Sequence, residues 1–383
     1  MEIKSFLKQN YYLIIIILFI IFSVTLIFNH EPYRDEAQAW LIARDSTSFP
    51  DMLGKMRQEG TPPLWHIMLY PLAQLNFPIQ SMQILHFIII LAAVILFITK
   101  SPFDLKTKLL FPFGYFILYQ YNTIARNYGL AVLFLFLIAT IYPKRLEKRK
   151  TYLIALILLG LTSLHGLAIA IVFGLFFIYE LIPKEKKKKY LTLGIALIIL
   201  FAGIGLITIA IENGHNAFVT EYTGKIIQRT ITTADQKLTL PSMTLINAFL
   251  PIQNNQLHFI DNNVFISTFG STGLIIFLIG LALLVLIAYS LMKTKIGLAR
   301  FLACLFVLEL IFWIILSGGM RHYGLIFALF ITEAWIYLNS RNVALNLDKK
   351  IKKSNKQISV TKINPKKYFP LLTKEHRAEA RRV

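Results

Sequence analysis

Cysteine occurs once in this sequence, as Cys304 within an apolar run, so the chain can form neither an intrachain disulfide nor a cysteine-rich metal site. Charge is sparse too: 16% of the 383 residues are charged against 56% hydrophobic, with a mean hydropathy of +0.60, which is not the composition of a soluble domain. Strand-like alternation is missing; Leu13 to Ile21 is continuously apolar, whereas a membrane barrel needs roughly ten-residue alternating segments. No HExxH, P-loop or glycine-rich dinucleotide signature occurs in a fitting context. There is no internal repeat and no inverted pair of broken helices of the kind transporters carry. No small-residue cleavage site follows the first apolar run, which passes directly into Asn29-His30-Glu31-Pro32, so a retained anchor is expected rather than a removed signal peptide.

What is present is a series of apolar runs near the roughly 20 residues needed to cross about 30 Å of hydrocarbon. The fold class expected is all-α, a polytopic transmembrane bundle. The net charge of +20 does not point to nucleic acid, because the basic residues lie in clusters between apolar runs, as cytoplasmic loops of membrane proteins do. The clearest are Lys144 to Lys150, Lys184 to Lys189 and the stretch from Arg341 to Val383. Placing all three on the cytoplasmic side leads to about ten spans with both termini inside, and puts 31 of the 40 lysines and arginines inside. In this scheme residues 1–340 form the membrane unit and 341–383 a basic, mobile cytoplasmic tail touching lipid. External loops cover about 30–81 and 212–270. Residues 151–183 make two short helices meeting near Ser163 to Gly166, and a further crossing covers 190–211. The stretch from Pro62 to Gln80 is expected to lie at the interface without crossing. Asp35 to Arg44 and Asp51 to Arg57 read as short amphipathic helices, with Trp40, Leu41, Met52, Leu53 and Met56 facing the membrane. The protein is expected in a bacterial cytoplasmic membrane.

With that topology the chemistry-bearing residues share one face. Asp35, Glu36 and Glu59 lie in the first external loop, and Arg126 and Tyr128 at the outer end of a span. His165 is at the apex of the short helix pair, and Arg321 and His322 open the last span. A carboxylate can deprotonate an attacking hydroxyl or amine. An arginine can grip a leaving phosphate and offset its developing charge. Such a set suits transfer from a phosphate-linked donor. Each residue also has a plainer role: Asp35 and Glu36 as helix-start residues, Glu59 as a loop charge, the arginines as anchors reaching to head groups, His165 as a packed histidine. His66, His86 and His215 read as structural; Glu309 and Glu333, inside spans, stay open.

The Arg34-Asp35-Glu36-Ala37 segment, followed by Glu59-Gly-Thr-Pro-Pro-Leu64, resembles the GT-C superfamily of membrane glycosyltransferases, which includes protein O-mannosyltransferases and lipid A aminoarabinose transferases. Ala125-Arg-Asn-Tyr128 and Arg321-His-Tyr323 resemble that family's arginine–tyrosine elements. Thr61 stands where many relatives have histidine. The resemblance implies a polyprenyl-phosphate sugar as donor and a lipid, glycan or protein as acceptor. It makes Asp35 the base in an inverting displacement, with Arg126 or Arg321 on the phosphate. No metal ligands are assigned, and a divalent cation is left open as cofactor. A flippase of lipid-linked saccharides, which would place polar groups at the midplane, and a non-catalytic assembly protein on the same scaffold are the alternatives.

Overall fold

The computed structural model describes residues 2–56, 59, 61–181, 194, 234–252, 263–269, 273–314 and 318–360. These are predominantly helical, with no strand among them. Among the described residues, six helices are long and apolar enough to cross a membrane. They are Asn10–Phe28 within α1 (Glu2–Phe28), α5 (Gln80–Lys100), α9 (Leu164–Leu181), α12 (Gly273–Leu291), Lys295–Trp313 within α13 (Lys295–Ile314), and Met320–Asn342 within α14 (Met320–Val360). The chain is therefore a multi-pass membrane protein. Apart from Gly194, the expected crossing at 190–211 lies outside the described residues, as do the Lys184 to Lys189 cluster, His215 and residues 361–383.

Three short helices sit between α1 and α5: α2 (Arg34–Arg44), α3 (Phe49–Lys55) and α4 (Leu64–Gln74). Their ends are written in the sequence. Ser48 caps α3 by accepting the Asp51 N–H at 3.3 Å, with Pro50 in the first turn. After α4, Asn76 takes the left-handed conformation with φ of 59°. The Asn76 and Phe77 N–H groups then donate back to the Ala73 and Leu72 carbonyls, which closes the helix with Pro78 following. This is why Pro62 to Gln80 does not become one membrane-length helix. Of the five residues expected to face lipid, Leu41 and Leu53 are exposed but Trp40, Met52 and Met56 are buried. The helices pack on each other and on α5: Trp40, Trp65, Leu69 and Met82 share one apolar cluster with Ala125 and Leu130.

The region from Leu105 to Gln120 is broken into α6 (Leu105–Leu110), a 3₁₀ turn (Phe111–Phe113) and a π-helical turn (Tyr115–Gln120). Pro112 lacks an N–H and Gly114 is extended, so a continuous α-helix cannot pass through. The expected helix pair follows α7 (Tyr128–Ile141): α8 (Arg149–Gly160) and α9 turn at Leu161 to Ser163. Gly166 permits this tight turn, since a Cβ there would stand 2.5 Å from the Leu159 carbonyl oxygen. Within the expected loop 212–270, α10 (Ala234–Phe249) is a helix whose Leu245, Ile246 and Ala248 are buried, and the short α11 (Val264–Phe269) precedes α12. The last helix runs unbroken across residue 341, where the tail was expected to begin.

One end of the bundle is fastened by buried charges. Glu333 on α14 takes two hydrogen bonds of 2.6 Å from Arg300 on α13, both side chains being essentially solvent-free. Arg300 also donates to the Tyr142 hydroxyl, which donates to Glu180 at the end of α9 at 3.2 Å. Glu180 in turn pairs with Arg145 at 2.7 Å. Both oxygens of each carboxylate are used, so α7, α9, α13 and α14 are cross-linked by one satisfied network.

Candidate functional site

Three of these helices, α7, α9 and α14, carry candidate residues at their other ends. At a rise of 1.5 Å per residue, Tyr128 lies about 20 Å along the chain from Tyr142, His165 about 22 Å from Glu180, and His322 about 16 Å from Glu333. The site is therefore at the opposite end of the bundle from the charge network, beneath α2 and α4.

The start of α2 presents two carboxylates with different surroundings. Glu36 is fully buried: Oε2 accepts from the Tyr33 N–H and from His30 Nε2, each at 2.8 Å, while Oε1 accepts from the Ala125 N–H at 2.6 Å. Both oxygens are occupied, so Glu36 ties α2 to the 122–127 segment. Asp35, one residue earlier, is a quarter exposed. Its Oδ2 is 3.0 Å from Arg321 Nη2 and 4.0 Å from Arg126 Nη2. Arg126 is held in place because its Nη1 donates to the Asp35 backbone carbonyl. Two guanidiniums face one carboxylate here, and such charge-assisted donors suit an anion.

Behind this cluster stand aromatic groups. The Tyr121 hydroxyl donates to the Arg321 carbonyl at 2.7 Å and fixes the start of α14. The Tyr128 ring stands edge-on to His322 with centroids 5.3 Å apart, and His322 stacks on His165 at 4.7 Å. His322 Nδ1 accepts the Gly319 N–H at 2.7 Å, which puts any remaining proton on Nε2. Neither nitrogen of the buried His165 has a hydrogen-bond partner among the described residues.

Glu59 follows α3 and lies close to both Arg126 and Asp35. Burial raises its pKa above the ordinary carboxylate value, opposed by Arg126 and by a hydrogen bond with Gln38 and assisted by Asp35. His66, on the first turn of α4, is pushed down to about 3 by burial and by the Arg126 charge, so it is neutral at physiological pH.

Asp35, Glu59, Arg126, Tyr128, His165, Arg321 and His322 thus meet at one end of the bundle, and Glu36 supports them from within. Sequence reasoning read His66 as structural and gave no role to Trp65, Asn122 or Asn127, all buried at this same end. A signal existed: Asn122-Thr-Ile-Ala-Arg-Asn127 is a polar interruption between apolar stretches, and Trp65-His66 opens the helix after Pro62-Pro63. Among the described residues no three His, Cys, Asp or Glu side chains converge as a metal site. No family model, no curated protein and no solved structure matches this chain.

Proposed function

We propose that the protein is a membrane glycosyltransferase of the GT-C type, moving a sugar from a polyprenyl-phosphate donor to a lipid, glycan or protein acceptor on the non-cytoplasmic face. The observation carrying this reading is the convergence of Arg126 and Arg321, from distant stretches of the chain, on the single carboxylate of Asp35. Asp35 lies beside the phosphate-binding groups, where an acceptor would have to enter.

In the proposed reaction the donor phosphate takes the two guanidiniums and frees an Asp35 oxygen for the acceptor. The acceptor oxygen or nitrogen attacks the anomeric carbon, and its proton passes to Asp35. The bond between the anomeric carbon and the phosphate oxygen breaks, and the electron pair leaves on the phosphate, where Arg126 and Arg321 offset the charge. A single displacement inverts the anomeric centre. Glu59 is a second carboxylate within the field of the same arginine. Tyr128, His165 and His322 form the wall on which Arg321 is set.

The topology belongs to the same proposal. Ten crossings result if α7, α8 and the broken segment 105–120 cross alongside the six long helices, with 190–211 as the tenth. Both termini are then cytoplasmic, the basic clusters obey the positive-inside rule and the Asp35 end faces outward. Mass spectrometry of lipid-linked sugars and cell-envelope glycans, with and without the gene for this chain, tests the reading. A sugar should vanish from one acceptor while its polyprenyl-phosphate form accumulates. Identical profiles in both strains would sink it.

A further inference from the structure

The proposed reaction leaves unused a group of buried polar atoms gathered with Arg126. Three contacts enclose them. The Leu64 N–H donates to the Leu161 carbonyl at 3.4 Å, bringing the start of α4 to the turn between α8 and α9. Asn127 Nδ2 donates to the Thr162 carbonyl of that turn at 2.6 Å, bringing in the 122–127 segment. The ring of Trp65 stands edge-on to His86 at 5.6 Å, and His86 Nδ1 is 3.3 Å from the Asn122 carbonyl oxygen. Trp65, His66, Asn122, Arg126 and Asn127 are thereby gathered on adjoining backbone. Each has a buried side-chain atom without a hydrogen-bond partner among the described residues: Trp65 Nε1, both His66 nitrogens, both Asn122 termini, Arg126 Nε and Asn127 Oδ1. Glu59 Oε1, near Arg126, is another.

Buried polar groups in folded proteins almost always have partners, and a cluster without them marks a place where something else supplies the bonds. The make-up of this cluster says what. An anion would be met by donors alone and a cation by acceptors alone. Here both kinds are present: the indole and guanidinium N–H groups donate, the amide and carboxylate oxygens accept, and neutral imidazole and carboxamide do both. Hydroxyl groups also donate and accept at one atom, so a polyhydroxylated ring satisfies such a set. Arg126 links the compartment to the anion cluster, with its Nη atoms toward Asp35 and its Nε left over.

We propose that Trp65, His66, Asn122, Asn127 and the Nε edge of Arg126 form the compartment that selects the neutral, hydroxyl-rich group carried on the donor phosphate. The proposal rests on the glycosyltransferase reading, since it assumes a sugar joined to the phosphate that Arg126 and Arg321 hold. Its specificity-determining residues are His66 and Trp65, neither of which takes part in proton transfer.

The test measures binding to the purified full chain in lipid nanodiscs, with polyprenyl phosphate and with a panel of polyprenyl-phosphate hexoses and pentoses. The wild type should bind at least one sugar-bearing form about tenfold or more tightly than the bare phosphate, the scale of a hydrogen-bonding contact or two. His66→Leu and Trp65→Phe should erase that preference while leaving affinity for the bare phosphate within about twofold, and His66→Gln should restore some of it. A variant that keeps the full preference, or loses both ligands in equal measure, overturns the compartment while leaving the glycosyltransferase reading intact. A wild type that binds no member of the panel overturns both.

Discussion

The two ends of this helix bundle both hold buried arginines and carboxylates, yet they are finished differently. At the Tyr142 end, Glu333, Arg300, Glu180 and Arg145 form a chain in which every carboxylate oxygen has a partner. At the Asp35 end, Glu59, Arg126, His66 and Asn127 each keep an unpartnered buried atom among the described residues. Helices do not associate in lipid by the hydrophobic effect, so a saturated polar network is one of the ways they can be fixed relative to one another. A network left incompletely satisfied costs stability in the free protein and is kept where a ligand completes it. Under the proposed function the same residue types serve as fastening at one end and as recognition at the other, and the hydrogen-bond inventory tells the two ends apart.

The strongest way to break this contrast on stability is at the fastened end. Glu333→Leu leaves Arg300 buried and unpaired and should cost about 3–5 kcal/mol, whereas adding Arg300→Met should recover most of that loss. Thermal unfolding of the purified variants in detergent measures both. A single variant as stable as the wild type would show that the pair fastens nothing.

A smaller and pH-dependent effect belongs to the other end. His66 is held neutral by burial, with its pKa down at about 3, so the unfolded chain takes up a proton there that the folded chain refuses. The stability this group supports is complete above the ordinary histidine range near 6.5 and drains away as the pH falls toward 3. His66→Leu should flatten that section of the melting-temperature profile. Glu59 runs the other way. Its raised pKa makes the protonated form the favoured folded one, so its contribution is present below the ordinary carboxylate value and is lost as the pH rises above it. Glu59→Gln should raise the melting temperature at about pH 7 and change little near the ordinary carboxylate range. Wild-type and variant profiles that run parallel would remove these two groups from the account.

The outline of this architecture was legible because the bilayer constrains composition. Runs such as Gln80–Lys100 had to be helices, the basic Lys144 to Lys150 stretch had to separate one helix from the next, and Asp35 and Glu36 had to open a short helix. Less visible was anything set by packing between distant segments. Pro112 and Gly114 were present in the sequence, but their apolar neighbours concealed the break they impose. Trp40 reads as a membrane-facing residue until α4 is seen to cover it. Glu36 and Asp35 are neighbours with like charge, and only the Ala125 N–H, far along the chain, decides that one becomes a buried strut. The pairing of Arg300 with Glu333, and the gathering of Trp65, His66 and Asn127, likewise depend on contacts that no local pattern encodes.

Asp35→Asn tests the central claim most directly when stability and chemistry are read from the same sample. The purified variant in proteoliposomes, supplied with the polyprenyl-phosphate sugar of the proposed reaction, should transfer it about 10²–10⁴ times more slowly than the wild type, the range for removal of a general base. Its melting temperature should stay within a few degrees of the wild type, because the Asp35 pair is partly exposed and contributes little to folding. Full transfer, or a collapse in stability like that expected of Glu333→Leu, would contradict the division of the bundle into a fastened end and a working end.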